Sequence, residues 1–161
     1  KTTTTRIGVI GTTATIRSNA YLHAINALNP AAKVYVQPCP LLVPLVEEGW
    51  QDREVAFTIL NEYLAPLLQE KIDTLVLGCT HYPILKEAIA RVIGSGITLV
   101  DSAESCAQYI RRELERLGLL NEQNKNGLLS LNVTDTVNRF TQLATQFLGQ
   151  PAEVTEVDLL E

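Results

Sequence analysis

The sequence has 161 residues, of which 46% are hydrophobic and 19% are charged, a composition typical of a globular domain and not of a disordered chain. Its formal net charge of −5 argues against the basic surface that proteins use to bind nucleic acid. No segment approaches the roughly 20 apolar residues of a membrane-spanning helix, so neither a nucleic acid nor a membrane is predicted as a partner.

Short apolar runs alternate with longer amphipathic stretches along the chain. In chain order the pattern predicts a strand at 7–10, a helix at 16–28, a strand at 34–36, a short helix at 42–48, a helix at 52–70, a strand at 73–77, a helix from 83 to before 94, a strand at 98–100, a helix at 103–117, a polar linker at 121–127, a strand at 128–133, a helix that Thr134 or Asp135 caps and that reaches 148, and a strand at 154–157. This alternation predicts an α/β fold with an open, mainly parallel sheet flanked by helices. Ligands of such sheets bind at the carboxyl ends of the strands, here residues 11–15, 78–82 and 101–102.

The cysteines and histidines indicate neither a disulfide framework nor a metal site. Cys39, Cys79 and Cys106 are an odd number of thiols without regular spacing, so a reducing cytoplasm is the expected compartment. No CxxC segment occurs, and His23 and His81 lie far apart in the sequence, so no zinc site is expected.

The segment GCTHYP at residues 78–83 carries the clearest chemical signal. It follows an apolar strand and precedes a helix, where backbone amides and the positive helix end favour an anion such as a thiolate. His81 lies two residues after Cys79, close enough to relay a proton or to polarise the thiol. The alternative interpretation is structural, with Cys79 as a small apolar residue that closes the strand and His81 as the cap of the following helix.

The second candidate is the threonine-rich turn at residues 11–15. Its hydroxyls and free amides at a helix N-terminus suit a carboxylate, although ordinary capping by a threonine explains the same pattern. The remaining reactive residues are given structural interpretations. Cys39 is assigned to loop packing, Cys106 to a buried helix face, His23 to a helix and Asp101 to a helix cap.

The segment GCTHYP, preceded by Leu77, resembles a signature of the glutamate racemase family. Three further blocks agree in the same order: GVIGT at 8–12 with Thr15 and Ser18, CPLLVPLVEEG at 39–49, and VDSA at 100–103. The resemblance covers residues 7–103 and weakens beyond about residue 117.

The resemblance implies a fold, a reaction and roles for single residues. Members of this family interconvert L- and D-glutamate for peptidoglycan synthesis with two cysteines and no cofactor, one thiol on each face of the substrate. By resemblance Cys79 is one of these thiols and serves the L-enantiomer, while His81 assists it. Thr80, Thr12 and Thr15 are then expected to bind the amino and carboxylate groups of glutamate.

The resemblance also implies that this chain is the C-terminal part of a two-domain enzyme. The DSG, PYG and CNT segments of the family's first domain, including the other catalytic cysteine, do not occur here. Residues 1–99 are therefore expected to be the second α/β domain, and residues 100–161 a segment that packs on the missing first domain. The chain alone is expected to be inactive, and a homodimer is possible in this family.

Three alternative functions remain open from the sequence. The substrate could be aspartate or another acidic amino acid, because a carboxylate site does not fix the side-chain length. A cysteine-dependent hydrolase would use Cys79 as nucleophile and His81 as base. A third alternative is a non-catalytic fragment.

Overall fold

The computed structural model describes residues 5–121 and 127–158, and the chain divides into two compact units after Leu120. The elements of the first unit are β1 (Arg6–Gly11), α1 (Thr13–Arg17), α2 (Ala20–Leu28), β2 (Lys33–Pro38), α3 (Leu42–Glu47), α4 (Glu54–Gln69), β3 (Thr74–Leu77), a 3₁₀ turn (Tyr82–Leu85), α5 (Lys86–Ile93), β4 (Thr98–Asp101) and α6 (Ser102–Arg116). None of the helices within the described ranges is long and apolar enough to cross a membrane.

The first unit contains a four-stranded sheet with the order β2-β1-β3-β4, and all its neighbouring strands are parallel. This confirms the predicted α/β fold with a parallel sheet between helices. The apolar run of β3 lies at the centre of the sheet, as expected for a strand covered on both faces. The buried core consists mainly of residues from β3, α3, α4 and the 3₁₀ turn, including Leu42, Val46, Leu60, Leu64, Leu75, Leu77, Tyr82 and Leu85.

The parallel register brings the carboxyl ends of the strands to one edge. Ile10 of β1 pairs with Leu77 of β3, and Leu77 pairs with Asp101 of β4. The amide of Cys39, just after β2, donates to the carbonyl oxygen of Gly11 at 2.8 Å. The three segments predicted to meet at this edge therefore do so, together with the start of the loop after β2.

Two predicted helices of the first unit differ in detail. The predicted helix at 16–28 is two helices, α1 and α2, because Asn19 adopts a left-handed backbone with φ of 54°. The side chain of Ser18 stabilises this break, since its hydroxyl donates to the carbonyl of Thr15 and accepts from the amide of Ala20. The helix predicted from residue 83 begins as the 3₁₀ turn and becomes α-helical only at Lys86.

The second unit contains β5 (Leu131–Val133), α7 (Val137–Leu148) and β6 (Val154–Glu156), and β5 and β6 pair in parallel. The predicted strand at 128–133 is wrong in its first half, since only 131–133 are extended in a ladder. The predicted cap at Thr134 or Asp135 is also wrong, because α7 begins after Thr136, whose φ is 30°. Asp135 instead accepts from the amide and hydroxyl of Thr136. Most of the predicted linker, residues 122–126, lies outside the described residues.

The unit boundary after Leu120 places β4 and α6 in the same compact unit as the main sheet. The predicted division into residues 1–99 and 100–161 rests on packing against a domain that the structure does not contain, and it stays a prediction.

A buried tyrosine joins two loops at the carboxyl edge. The Tyr82 side chain is fully buried, and its hydroxyl donates to the carbonyl oxygen of Cys39 at 3.0 Å. Because this carbonyl has no access to water, the hydrogen bond holds the loop after β3 against the loop after β2.

Replacing this hydroxyl tests its contribution. Tyr82→Phe removes one of two donors to the buried Cys39 carbonyl, which keeps the amide of Leu42 at 3.2 Å, so we expect the free energy of unfolding in urea to fall by about 0.5–1.5 kcal/mol. Tyr109→Phe removes the same group from an exposed side chain and should change stability by less than about 0.5 kcal/mol. Equal effects of the two substitutions would contradict the role of the buried hydrogen bond.

Candidate active site

Cys79 lies at the carboxyl end of β3, partly exposed, in a loop held by backbone hydrogen bonds. The amide of Gly78 donates to the carbonyl of Ile10 at 2.8 Å, which continues the contact between β3 and β1 past the end of β3. The amide of Tyr82 donates to the carbonyl of Cys79 at 3.2 Å and closes the turn on the other side. The thiol is therefore held at the edge where ligands of parallel sheets bind.

The residue before the cysteine has no room for a side chain. A β-carbon at Gly78 would lie 2.8 Å from the carbonyl oxygen of Ile10 and 3.0 Å from Cε2 of Tyr21. The first of these atoms belongs to the backbone of a central strand and cannot move aside cheaply. Glycine at this position is therefore required by close approach of the backbone.

His81 is held between two polar groups. Its Nε2 lies 3.3 Å from Oε1 of Glu47, and each of these two side chains is 25% exposed. Its Nδ1 lies 3.4 Å from the hydroxyl oxygen of Thr80, which is exposed. His81 occupies the cap position of the 3₁₀ turn, but its side chain makes no capping hydrogen bond there. His81 is thus the cap residue by position, as the structural interpretation predicts, but its side chain does not supply the cap.

Glu47 is a residue that sequence reasoning missed. It is the last residue of α3, and no local spacing relates it to His81. The available signal was its position in the segment CPLLVPLVEEG, one of the four blocks of the resemblance.

The threonine-rich turn is a helix cap in this structure. The hydroxyl oxygen of Thr12 accepts from the amide of Thr15 at 3.2 Å, and the two hydroxyl oxygens lie 2.9 Å apart. The capping interpretation is thus confirmed. Both side chains are partly exposed near the end of β1, so the carboxylate role of Thr12 and Thr15 stays a prediction.

Tyr21 is a second residue without a sequence signal. It lies in the first turn of α2, and its ring packs against Gly78. Burial raises the pKa of the Tyr21 phenol above its ordinary value of 10.0, and the negative charge of an ionised Cys79 raises it further. The phenol is therefore neutral near pH 7.

The other two cysteines have different surroundings. Cys39 is fully buried, and burial raises the pKa of its thiol to about 12, so the thiol stays protonated and inert near pH 7, as the packing assignment predicted. Cys106 lies on α6 and is exposed, so the prediction that it is buried is wrong. The reason is that α6 buries none of its residues within the described structure.

Asp101 caps α6 as predicted and also contacts a neighbouring helix. Its Oδ1 accepts from the amides of Ala103 and Glu104, at 2.9 Å and 3.3 Å. Its Oδ2 lies 3.5 Å from Nζ of Lys86, the first residue of α5. The end of β4 is thereby tied to the helix that follows the Cys79 loop.

No group of three or more Cys, His, Asp or Glu side chains in the described ranges could hold a metal ion. A cavity of about 170 Å³ lies between α3 and α4, away from the predicted site residues, and is lined by Leu41, Pro44, Leu45, Glu48, Trp50, Val55 and Ile59.

Comparisons with known proteins agree with this geometry. Residues 1–110 match the family model of Asp/Glu/hydantoin racemases. The chain is 47% identical to a glutamate racemase of Neisseria meningitidis. The match runs over 152 residues, which make up 94% of this chain and 56% of that protein. It is 45% identical to a glutamate racemase of Chlorobaculum parvum over 160 residues, and this match covers 58% of that protein. The chain therefore spans a little more than half the length of these relatives.

Solved structures show the same backbone. A glutamate racemase isoform of Bacillus anthracis superposes with a TM-score of 0.90 at 38% identity, over 98% of this chain and 59% of that one. A glutamate racemase of Francisella tularensis in complex with D-glutamate superposes with a TM-score of 0.87 at 36% identity, over the same shares of the two chains.

The close approach at Gly78 predicts a local loss of stability. Gly78→Ala forces a methyl group against the Ile10 carbonyl, so we expect the free energy of unfolding to fall by about 1–3 kcal/mol. Gly96→Ala is the matched control, since a β-carbon there meets no atom within 4 Å and its backbone is not left-handed. It should leave stability unchanged or raise it by up to about 1 kcal/mol. Chemical denaturation of both variants measures the difference, and a neutral Gly78→Ala would contradict the crowding.

Burial of Cys39 predicts a dependence of stability on alkaline pH. The pKa of this thiol is raised in the folded state, from 9.0 to about 12, so its contribution is complete below about pH 9 and is lost between about pH 9 and pH 12. Unfolding measured across this range should lose up to about 1.4 kcal/mol per pH unit through this thiol. Cys39→Ala should lower stability at neutral pH and flatten this slope, whereas an unchanged slope would contradict the burial.

Proposed function

The chain belongs to the Asp/Glu/hydantoin racemase family, and on this premise we propose that it carries one half of a glutamate racemase active site, with Cys79 as one of two proton-transferring thiols. The single observation that carries the proposal is the position of Cys79, partly exposed at the carboxyl edge of the parallel sheet in the GCTHYP segment. Relatives at 45–47% identity are glutamate racemases, and one solved relative binds D-glutamate.

The proposed chemistry needs two bases of similar strength on opposite faces of the substrate. One cysteine, as thiolate, removes the α-proton of glutamate, and the other, as thiol, donates a proton to the opposite face. At the end of a turnover the first cysteine is a thiol and the second a thiolate, so the proton count balances and no external acid is consumed. Cys79 serves the L-enantiomer in this proposal, and no cofactor takes part.

His81 assists Cys79, and Glu47 orients His81. The contact of 3.3 Å between Nε2 of His81 and Oε1 of Glu47 supports this assignment, because a carboxylate that accepts from one ring nitrogen fixes the direction of an imidazole. Thr80 lies between Cys79 and His81 and is exposed, which suits a role in binding the amino or carboxylate groups of glutamate. Thr12 and Thr15 are proposed to hold a carboxylate of the same substrate.

The partner thiol comes, in this proposal, from a first domain outside residues 1–161. Cys39 is unsuited to the role because it is fully buried and its thiol pKa is about 12. The surface of α6 supports a missing partner, since Tyr109 and Ile110 are 58% and 49% exposed on a helix that buries none of its residues. Residues 100–161 are accordingly proposed to pack on that first domain.

The proposal includes a cellular role. The complete protein is a cytoplasmic enzyme that supplies D-glutamate for peptidoglycan synthesis, and it forms a homodimer. Size-exclusion chromatography with light scattering on the complete protein tests the dimer.

A second candidate is a cysteine-dependent hydrolase. The contact between Nε2 of His81 and Glu47 favours it, because it supplies the acidic residue that orients the base in such enzymes. A hydrolase forms an acyl thioester on Cys79, whereas a racemase does not. Mass spectrometry after incubation with an activated ester of glutamate therefore separates the two chemistries.

The proposed reaction predicts exchange of the α-proton only when both thiols are present. We expect the 161-residue chain to be inactive, and a chimaera that adds the first domain of the Neisseria meningitidis relative to exchange the α-proton of L- and D-glutamate in D2O. NMR of the substrates without added cofactor measures the exchange. Cys79→Ala should reduce it by at least about 10³-fold for one enantiomer or both.

His23→Ala in the same chimaera is the control, since His23 is exposed on α2, has no role in the proposal and should keep full exchange. Exchange of glutamate that survives in Cys79→Ala would refute the assignment of Cys79. Faster exchange of aspartate than of glutamate would instead assign the substrate to a different acidic amino acid.

A further inference from the structure

The cavity of about 170 Å³ between α3 and α4 has a lining made mostly of apolar side chains. Leu41, Pro44 and Leu45 line it from the side of α3, and Val55 and Ile59 line it from one face of α4. A protein cavity of about 150 Å³ with an apolar lining stays free of water and takes up benzene. The size and the chemistry of this cavity therefore suit one small apolar ring.

The loop that closes the cavity is already ordered. The amide of Trp50 donates to the carbonyl of Leu45 at 2.9 Å, and the amide of Arg53 donates to the carbonyl of Trp50 at 3.0 Å. The guanidinium carbon of Arg53 lies 4.8 Å from the centroid of the Trp50 ring. A ligand does not have to order this wall when it binds, which removes one of the usual costs of binding.

The side chains around the cavity are not covered by the rest of the chain. Leu41, Trp50 and Val55 are 52%, 38% and 40% exposed, although all three belong to the lining. Exposed apolar side chains around a concave surface are typical of a binding site, and the indole of Trp50 favours an aromatic occupant.

The charged groups beside the cavity favour a neutral ligand. Glu48 belongs to the lining, and Arg53 lies over Trp50, so a negative and a positive group are both present. An ionised ligand would lose its hydration in an apolar cavity and would meet a like charge at its edge.

Occupation of the cavity also bears on α3, which leads to the Cys79 loop. This helix has only six residues and no side-chain capping hydrogen bond, so its stability depends on packing. Pro44 and Leu45 contribute to the cavity, whereas Glu47 at the end of the same helix lies 3.3 Å from Nε2 of His81. A ring packed against this helix adds contacts that hold Glu47 in place.

We propose that the cavity between α3 and α4 binds a small neutral molecule with one aromatic ring, and that its occupation stabilises α3 and with it the contact of Glu47 to His81. The binding does not rest on the proposed function, and both parts of the inference are measured without catalysis.

Fluorescence of Trp50 tests the binding, because Trp50 is the only tryptophan of the sequence and lines the cavity. Toluene is the probe and is titrated into the 161-residue chain. We expect a saturable shift of the emission to shorter wavelength, with half-saturation at about 1 mM, as is usual for an apolar ligand of so few atoms. Benzoate and benzylamine have a similar size but carry a charge, so they should need at least about tenfold higher concentrations. A response that does not saturate overturns the site, and tighter binding of a charged probe overturns the neutral class.

Val55→Phe places a larger side chain in the lining and should raise the half-saturation concentration of toluene at least about tenfold. Val36→Phe is the matched control, since Val36 is also 40% exposed but lies on β2, and it should change this concentration by less than about twofold. Leu41→Asn, at the most exposed of these lining positions, is a second variant and should weaken binding as Val55→Phe does. Equal affinities in Val55→Phe, Val36→Phe and the parent overturn the site.

Amide hydrogen exchange followed by mass spectrometry tests the effect on α3. At a toluene concentration of about five times the half-saturation value, exchange in α3 should slow by up to about sixfold. Exchange in α2, which contributes no residue to the cavity, should stay unchanged. Unchanged exchange of α3 with the cavity saturated overturns the link to Glu47. Glutamate exchange by the chimaera is a separate result, so a failure of the racemase proposal and a failure of this inference are distinguishable.

Discussion

The hydrogen bond from the amide of Gly78 to the carbonyl of Ile10 constrains the candidate site more than any other contact. It extends the pairing of β1 and β3 by one residue, so that Cys79 begins its loop from the rigid centre of the sheet. The absence of a side chain at Gly78 makes this approach possible, and the same space receives the ring of Tyr21. Cys79, His81 and the buried Tyr82 follow within four residues. The position of the thiol is therefore fixed by backbone geometry before any side chain of the site contributes.

Three loops with different sequences meet around that point. The loop after β2 is held by the amide of Cys39 on Gly11 and by the hydroxyl of Tyr82 on the Cys39 carbonyl. It leads into α3, whose last residue, Glu47, contacts His81. The capped turn at Thr12 follows β1, and β1 lies between β2 and β3 in the sheet. In the strand order this turn is therefore between the loop after β2 and the Cys79 loop after β3. A parallel sheet thus gathers residues that are distant in the sequence, which is the reason why ligand sites of such folds lie at this edge.

This gathering explains what the sequence predicted well and what it did not. The apolar run before Gly78 and the turn residues after each strand are local signals, so the strands, their carboxyl edge and Cys79 itself were predictable. Asn19 was not, because asparagine in a helical stretch gives no local indication that its backbone will be left-handed. Tyr21 and Glu47 reach the site only through tertiary packing, and no spacing in the chain relates them to Cys79. Cys106 was misjudged because helical periodicity indicates an apolar face but does not tell whether this chain supplies the surface that covers it.

The carboxylate of Asp101 connects that uncovered helix to the start of α5. One of its oxygens caps α6, and the other contacts Lys86, the residue that ends the 3₁₀ turn begun by the Cys79 loop. The side chain of Asp101 is only 10% exposed whereas that of Lys86 is 42% exposed, so the capping contact is better shielded from water and salt than the ion pair. Glu104 of α6 makes a second contact with the same lysine, at 3.3 Å from Nζ of Lys86. The orientation of α6 relative to the Cys79 loop is therefore set jointly at the end of β4 and at the start of α5.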